Sequence, residues 1–298
     1  MKELINFFYN IEVTSLDNNI ARENDNIYLI NKINDFDKPR IDIINNIIND
    51  VNFFSVFPYK IVVNKFGSIY FYDQDNQYVL IHLDSNYNSY VDFTSILDFY
   101  TRVEKFFSGY KYNSRNWENL WEHKINKLYN IYMSNEINKK NISELFFYYI
   151  GIAEVSLQYL KKINYRFLDQ NLRGSLCHYR ITYPLKKLDF YNPCNMMIDI
   201  KIRDIAEYIK SCYISGLDFN AELDFYLKTL NLSKYEASLF YSRILYPSFF
   251  IDMFIKDEEC DFSVLYDTKK YELFLKKTYE LINSYVSIDN ISWITDPH

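Results

Sequence analysis

Along the first ~90 residues the apolar positions fall in short runs, and beyond them they recur at helical spacing almost to the end of the chain. Ile27-Tyr28-Leu29-Ile30 predicts a first strand. Tyr59-Lys60-Ile61-Val62-Val63 and Ser68-Ile69-Tyr70-Phe71-Tyr72 flank Asn64-Lys65-Phe66-Gly67, which predicts a hairpin with Gly67 at a positive φ. Tyr78-Val79-Leu80-Ile81-His82-Leu83 predicts a further strand after the turn-rich Asp73-Gln74-Asp75-Asn76. Between the first strand and the hairpin one helix is expected. Pro39 suits its first turn, Asp37 its cap, and Ile41, Ile44, Ile48 and Val51 share one face.

In the longer second part, Ile96, Tyr100, Val103 and Phe107 form one stripe, and Trp117, Trp121, Ile125 and Leu128 another that is expected to pack in the core. Leu145 to Leu160 is apolar nearly all round, but Glu154 interrupts it and it falls short of the ~20 residues of a bilayer span, so it reads as a buried helix. Later helices are expected over ~204–214, ~220–230, ~233–256 and ~267–286. The pattern predicts an α+β protein of two lobes: a β-rich lobe with one helix over residues 1–85, and a helical lobe over 86–298.

Composition narrows the functional classes. The 298 residues are enough for two packed lobes, and 49% hydrophobic content supports a buried core. Thirty Tyr and 24 Phe are what A+T-rich codons specify and need no functional explanation. A net charge of −6, without a long basic run, argues against nucleic-acid and anionic-membrane partners. The four cysteines, Cys177, Cys194, Cys212 and Cys260, form no CxxC pair and read as the reduced thiols of a cytoplasmic protein. Cys177, His178 and Cys194 do not make the paired four-ligand pattern of a structural zinc site, so no metal is expected. The start Met1-Lys2-Glu3-Leu4-Ile5-Asn6 lacks the features of a secretion signal.

The chemically mixed stretch of the helical part runs from Gly174 to Asp204, and local function is expected there. Asp204, with Glu207 following at capping-box spacing, is expected to cap the helix that continues through Ile205, Ala206, Tyr208 and Ile209.

A strand-rich lobe, a helical lobe, the loop Cys177-His178-Tyr179-Arg180 and the helix start Arg203-Asp204-Ile205-Ala206-Glu207 together resemble the aminoglycoside/choline phosphotransferase-type kinase fold. Trp117-Glu118-Asn119-Leu120-Trp121-Glu122-His123-Lys124-Ile125-Asn126, Gly151-Ile152-Ala153-Glu154 and Phe240-Tyr241-Ser242-Arg243-Ile244-Leu245-Tyr246-Pro247 narrow the resemblance to the YutH branch of the CotS-type spore coat-associated proteins. In active members of the wider fold the catalytic loop reads His-Gly-Asp with an Asn five residues after the Asp; Asp serves the substrate hydroxyl, and Asn with a later Asp holds magnesium. Laid on this chain, His178 matches the His, Tyr179 replaces Gly, Arg180 replaces Asp and Leu185 replaces Asn. A guanidinium accepts no proton at any relevant pH, and a leucine offers magnesium no oxygen. The place of the later metal Asp falls near Asn195, with Asp189 and Asp199 as substitutes. No glycine precedes Gly67, so the first lobe has no glycine-rich phosphate loop. Lys32 lies near the place of the phosphate-contacting strand lysine, and Asn31 fits that register equally.

The resemblance implies a catalytically inactive kinase-fold protein of the sporulating cell, made in the cytoplasm, associated with the spore coat and binding other spore coat proteins without a cofactor. The alternative is an active small-molecule phosphotransferase using ATP and magnesium with rearranged ligands.

Overall fold

The computed structural model describes residues 1–49, 57–107, 110–134, 143–168, 172–256 and 266–295. In chain order its elements begin with α1 (Lys2–Tyr9), β1 (Ser15–Asp17), β2 (Ile20–Glu23), β3 (Asn26–Ile33), α2 (Lys38–Asn49), β4 (Lys60–Ile61), β5 (Tyr70–Asp73), β6 (Asn76–Leu83) and α3 (Phe93–Val103). There follow β7 (Lys111–Tyr112), α4 (Arg115–Met133), α5 (Ser143–Arg166), β8 (Leu172–Arg173), β9 (Ser175–His178), α6 (Lys187–Phe190) and β10 (Met196–Asp199). The rest is helical: α7 (Ile202–Ile214), α8 (Asn220–Leu230), α9 (Lys234–Leu245), α10 (Ser248–Lys256), α11 (Thr268–Tyr285) and α12 (Ser292–Thr295). The fold is α+β, as the hydrophobic pattern predicts. By contacts the chain forms two compact units. One compact unit is Met1–Ser108 with Ser175–Asp199, the other Gly109–Gly174 with Ile200–His298.

The first unit is built on an antiparallel sheet in the order β1-β2-β3-β6, with β4 and β5 both paired to the far edge of β6. Successive residues of a strand face opposite ways, and both faces here are apolar. Ile27, Leu29 and Ile33 lie with Ile61, Val79, Ile81 and Ile41 of α2 in one cluster. Tyr28, Ile30, Phe71 and Leu80 lie with Ile5 and Ile11 in the other. Ile41, Ile44 and Ile48 are buried as their spacing predicts, while Val51 lies outside the described residues.

The expected hairpin is a different object. Ile61 pairs with Ile81 and Tyr70 with Val79, so the two segments run end to end along one edge of β6 instead of pairing with each other. The loop between them is held by Asn64, whose Oδ1 accepts from the Phe66 and Ser68 amides at 2.9 and 3.1 Å and whose Nδ2 donates to the Tyr70 carbonyl at 2.8 Å. Gly67 does take a positive φ, +81°.

In the second unit, α5 packs against α4 and α9, and α9 also against α7 and α11. Trp117, Trp121, Ile125 and Leu128 are buried along α4, and the Trp121 ring stacks on Tyr246 at 4.1 Å. The single helix expected over ~233–256 is two, α9 and α10, because Pro247 supplies no amide to continue the first. Ser233 and Glu236 form a reciprocal capping box at the start of α9. Among the described residues no helix is long and apolar enough to cross a membrane.

Candidate functional site

β9 and β10 form an antiparallel pair that sets Met196 opposite His178 and Asp199 opposite Ser175. His178 is 1% exposed; its Nε2 lies 2.6 Å from the Phe190 carbonyl oxygen and its ring stacks on Phe190 at 4.6 Å. The imidazole is therefore held by a backbone carbonyl and an aromatic face. Tyr179 leaves the strand with its amide donating to the Asn195 carbonyl at 2.8 Å, while its ring is exposed. Arg180 is partly exposed, and its Nη1 donates to the carbonyl of Tyr179 at 3.1 Å.

The stretch after Arg180 is stitched to the segment that follows β6. Val91 donates its amide to the Leu185 carbonyl at 2.8 Å, Lys187 to Ser89 at 2.9 Å and Leu188 to Tyr87 at 3.0 Å. Leu185 is a buried core residue. The stitching sets Leu188, Tyr191 and Cys194 with Tyr87 against the Ile27, Leu29 and Ile33 face of the sheet. Tyr59, fully buried, meets the ring of Tyr191 edge-on at 5.8 Å.

Register places Asn31 and Lys32 on opposite faces of the sheet. Asn31 has the parity of Leu29 and Ile33, the strand face that packs in one cluster with Cys194. Lys32 has the parity of Tyr28 and Ile30, on the opposite face, and is exposed. Lys32 therefore lies on the face of the sheet opposite to that of Asn31.

Asp199 ends β10 and is 1% exposed; Asp189 lies on α6 near the surface, where partial burial of its carboxyl raises its pKa above the usual carboxylate range. Asn195 Nδ2 donates to the Asp189 backbone carbonyl at 3.3 Å. Among the described residues no three His, Cys, Asp or Glu side chains converge on a metal-sized point. Cys177 and His178, as neighbours on β9, face opposite sides of the strand pair. Burial pushes the Cys194 thiol up to about 12, and Cys260 lies outside the described residues.

Asp204 and Glu207 are not the expected cap. The helix starts earlier, at Ile202, so Asp204 lies within its first turn. Glu207 faces the core: it accepts from Lys210 Nζ at 2.9 Å, Arg243 Nε at 2.7 Å and Ser248 Oγ at 2.7 Å, all nearly inaccessible to solvent. Arg40 on α2 was not singled out by its sequence. Its Nη1 donates to the carbonyls of Cys194 and Met196, its Nη2 pairs with Asp37 at 3.0 Å, and its guanidinium lies over the Tyr179 ring. The Asp37-Arg40 spacing was the available signal.

Comparison with known proteins agrees with this architecture. An aminoglycoside phosphotransferase from Alicyclobacillus acidocaldarius subsp. acidocaldarius superposes with a TM-score of 0.61 at 12% identity, covering 94% of this chain and 93% of that one. The AMP-bound spectinomycin phosphotransferase APH(9)-Ia superposes with a TM-score of 0.53 at 10% identity, covering 99% and 98%. At these identities the likeness is one of fold. The endospore coat-associated protein YutH of Bacillus subtilis (strain 168) is 27% identical over 211 residues, 60% of this chain and 61% of that relative's length. The family described as "Spore coat putative kinase YutH" matches residues 3–278, and the chain belongs to that family.

Proposed function

We propose that this chain is a non-catalytic member of the phosphotransferase fold that acts in spore coat assembly by binding other coat proteins. The observation that carries the reading is Arg180 in the place of the substrate-activating Asp. A proton acceptor in that position needs a pKa near the working pH, and a guanidinium stays protonated far above it.

The surroundings support the same reading. A magnesium nucleotide in a kinase fold is held by a strand lysine, loop oxygens and metal-binding carboxylates. Here the corresponding positions carry Asn31, Arg180 and the buried Leu185, and Leu188, Tyr191 and Cys194 pack against the face of the sheet to which Asn31 belongs. The Tyr87 and Ser89 carbonyls and the Val91 amide are engaged by residues 185–188. These residues do not fit a magnesium nucleotide, so the reading involves no cofactor. The coat setting comes from the family description and from the coat-associated relative, which the match spans for 61% of its length. Synthesis in the cytoplasm of the sporulating cell, with neither nucleic acid nor membrane as partner, completes the proposal.

The test has two arms. A fluorescent fusion in a sporulating host is expected to collect at the forespore surface, and cross-linking there is expected to recover coat proteins. Diffuse fluorescence throughout sporulation would remove the coat assignment, and phosphate transfer from ATP to any acceptor would remove the non-catalytic one.

A further inference from the structure

We propose that the second unit carries a binding site for a small organic anion, a carboxylate or phosphate monoester on a single flat ring, in the cavity where the starts of α4 and α9 meet the end of α5. The cavity encloses about 230 Å³. That is below the ~300 Å³ at which pockets for drug-sized ligands begin, which limits the occupant to a one-ring molecule.

Its floor is polar, buried and fixed. Ser114, Asn164 and Tyr235 are 3%, 4% and 4% exposed. Ser114 Oγ donates to Asn164 Oδ1 at 2.6 Å and lies 2.7 Å from the Tyr235 hydroxyl, while Asn164 Nδ2 donates to Glu118. Ser114 occupies the N-cap position of α4 without capping it, its hydroxyl being directed to this floor. Such a satisfied network is rigid and presents oriented dipoles to whatever lies above it.

The rim supplies charge. Lys111 and Arg115 line the cavity, are exposed, and form no ion pair with a carboxylate of the described residues. The first amides of α4 are already engaged, Arg115 with Asn113 Oδ1, Asn116 with the Asn113 carbonyl and Trp117 with the Ser114 carbonyl. The two side-chain cations, not the helix end, are therefore the groups that recognise the anion. The Phe167 and Tyr235 rings, with centroids 5.1 Å apart, form an aromatic wall for a flat body. Cations at the mouth, an aromatic wall and a polar floor together select a ring with one anionic substituent.

Calorimetric titration of the full chain with benzoate, phenyl phosphate, inorganic phosphate and neutral benzamide tests the site. Benzoate and phenyl phosphate are expected to bind at least about tenfold more tightly than benzamide, and phenyl phosphate more tightly than inorganic phosphate. Lys111→Gln with Arg115→Gln is expected to weaken both ring anions by about tenfold or more. Leu168→Trp, at a half-exposed rim position, is expected to block binding with both charges kept. The proposal is overturned by benzamide binding as well as benzoate, by inorganic phosphate matching phenyl phosphate, by undiminished binding in either variant, or by no heat of binding up to about 10 mM benzoate and phenyl phosphate.

Discussion

The guanidinium carbon of Arg40 sits 4.6 Å from the centre of the Tyr179 ring. One residue of α2 thus covers the side chain that follows His178, and the same guanidinium holds the carbonyls of Cys194 and Met196. Here a Tyr under an Arg makes the loop a packed part of the first unit.

Arg40→Ala removes the bonds to both carbonyls, the Asp37 pair and the ring contact together. It is expected to lower stability by about 2–3 kcal/mol in urea unfolding, with Arg40→Lys recovering only part because an ammonium lacks the planar fork. A loss within experimental error of zero would show that the loop is held by other contacts.

Glu207 is the counter-charge for two buried cations, Lys210 and Arg243. Glu207→Ala leaves both without it, and a loss of about 3–5 kcal/mol is expected. Replacing Glu207, Lys210 and Arg243 at once by apolar residues of similar volume is expected to cost less than the single change. Thermal unfolding of the two variants side by side checks the order, and the reverse order contradicts it.

The buried thiols make the fold sensitive to alkali. Cys194 is raised from 9.0 to about 12 and Cys212 from 9.0 to about 11, both by burial. Each raised group contributes stability fully present below the unfolded value near 9 and lost as pH rises through the folded value. Unfolding free energy is expected to fall between pH 9 and 11, with Cys194→Ala flattening that decline. At neutral pH, mass mapping after iodoacetamide is expected to find Cys194 unmodified in the native chain and modified in urea.

Local periodicity announced much of the fold. The Ile41-Ile44-Ile48 stripe and the Trp117-Trp121-Ile125-Leu128 stripe each mark the face that is buried, because a helix carries its burial pattern within its own sequence. Partner choice was not legible. β4 and β5 flank a turn-like loop yet both pair with β6, a choice made by residues further along the chain. The first hairpin, β1 with β2, carries its signal in Asn18-Asn19, both residues taking positive φ, but lacks the glycine that marks such turns most clearly. Glu207 matched a capping spacing, but Arg243 and Ser248, far along the chain, draw it into the core. At the loop, Tyr179, Arg180 and Leu185 depart from the pattern that the resemblance implies and are visible in the sequence, whereas the packing of Leu188, Tyr191 and Cys194 against the sheet depends on pairings no local pattern contains.

Titration with ATP and magnesium tests the central claim most directly, followed by thermal unfolding and by a phosphate-release assay on the native chain and on Arg180→Asp. No rise in melting temperature and no phosphate transfer are expected at millimolar nucleotide for either chain, since restoring the acid leaves Leu185 buried and Leu188 and Tyr191 against the sheet. Micromolar binding of the magnesium nucleotide by the native chain, with transfer to an acceptor, would contradict the account.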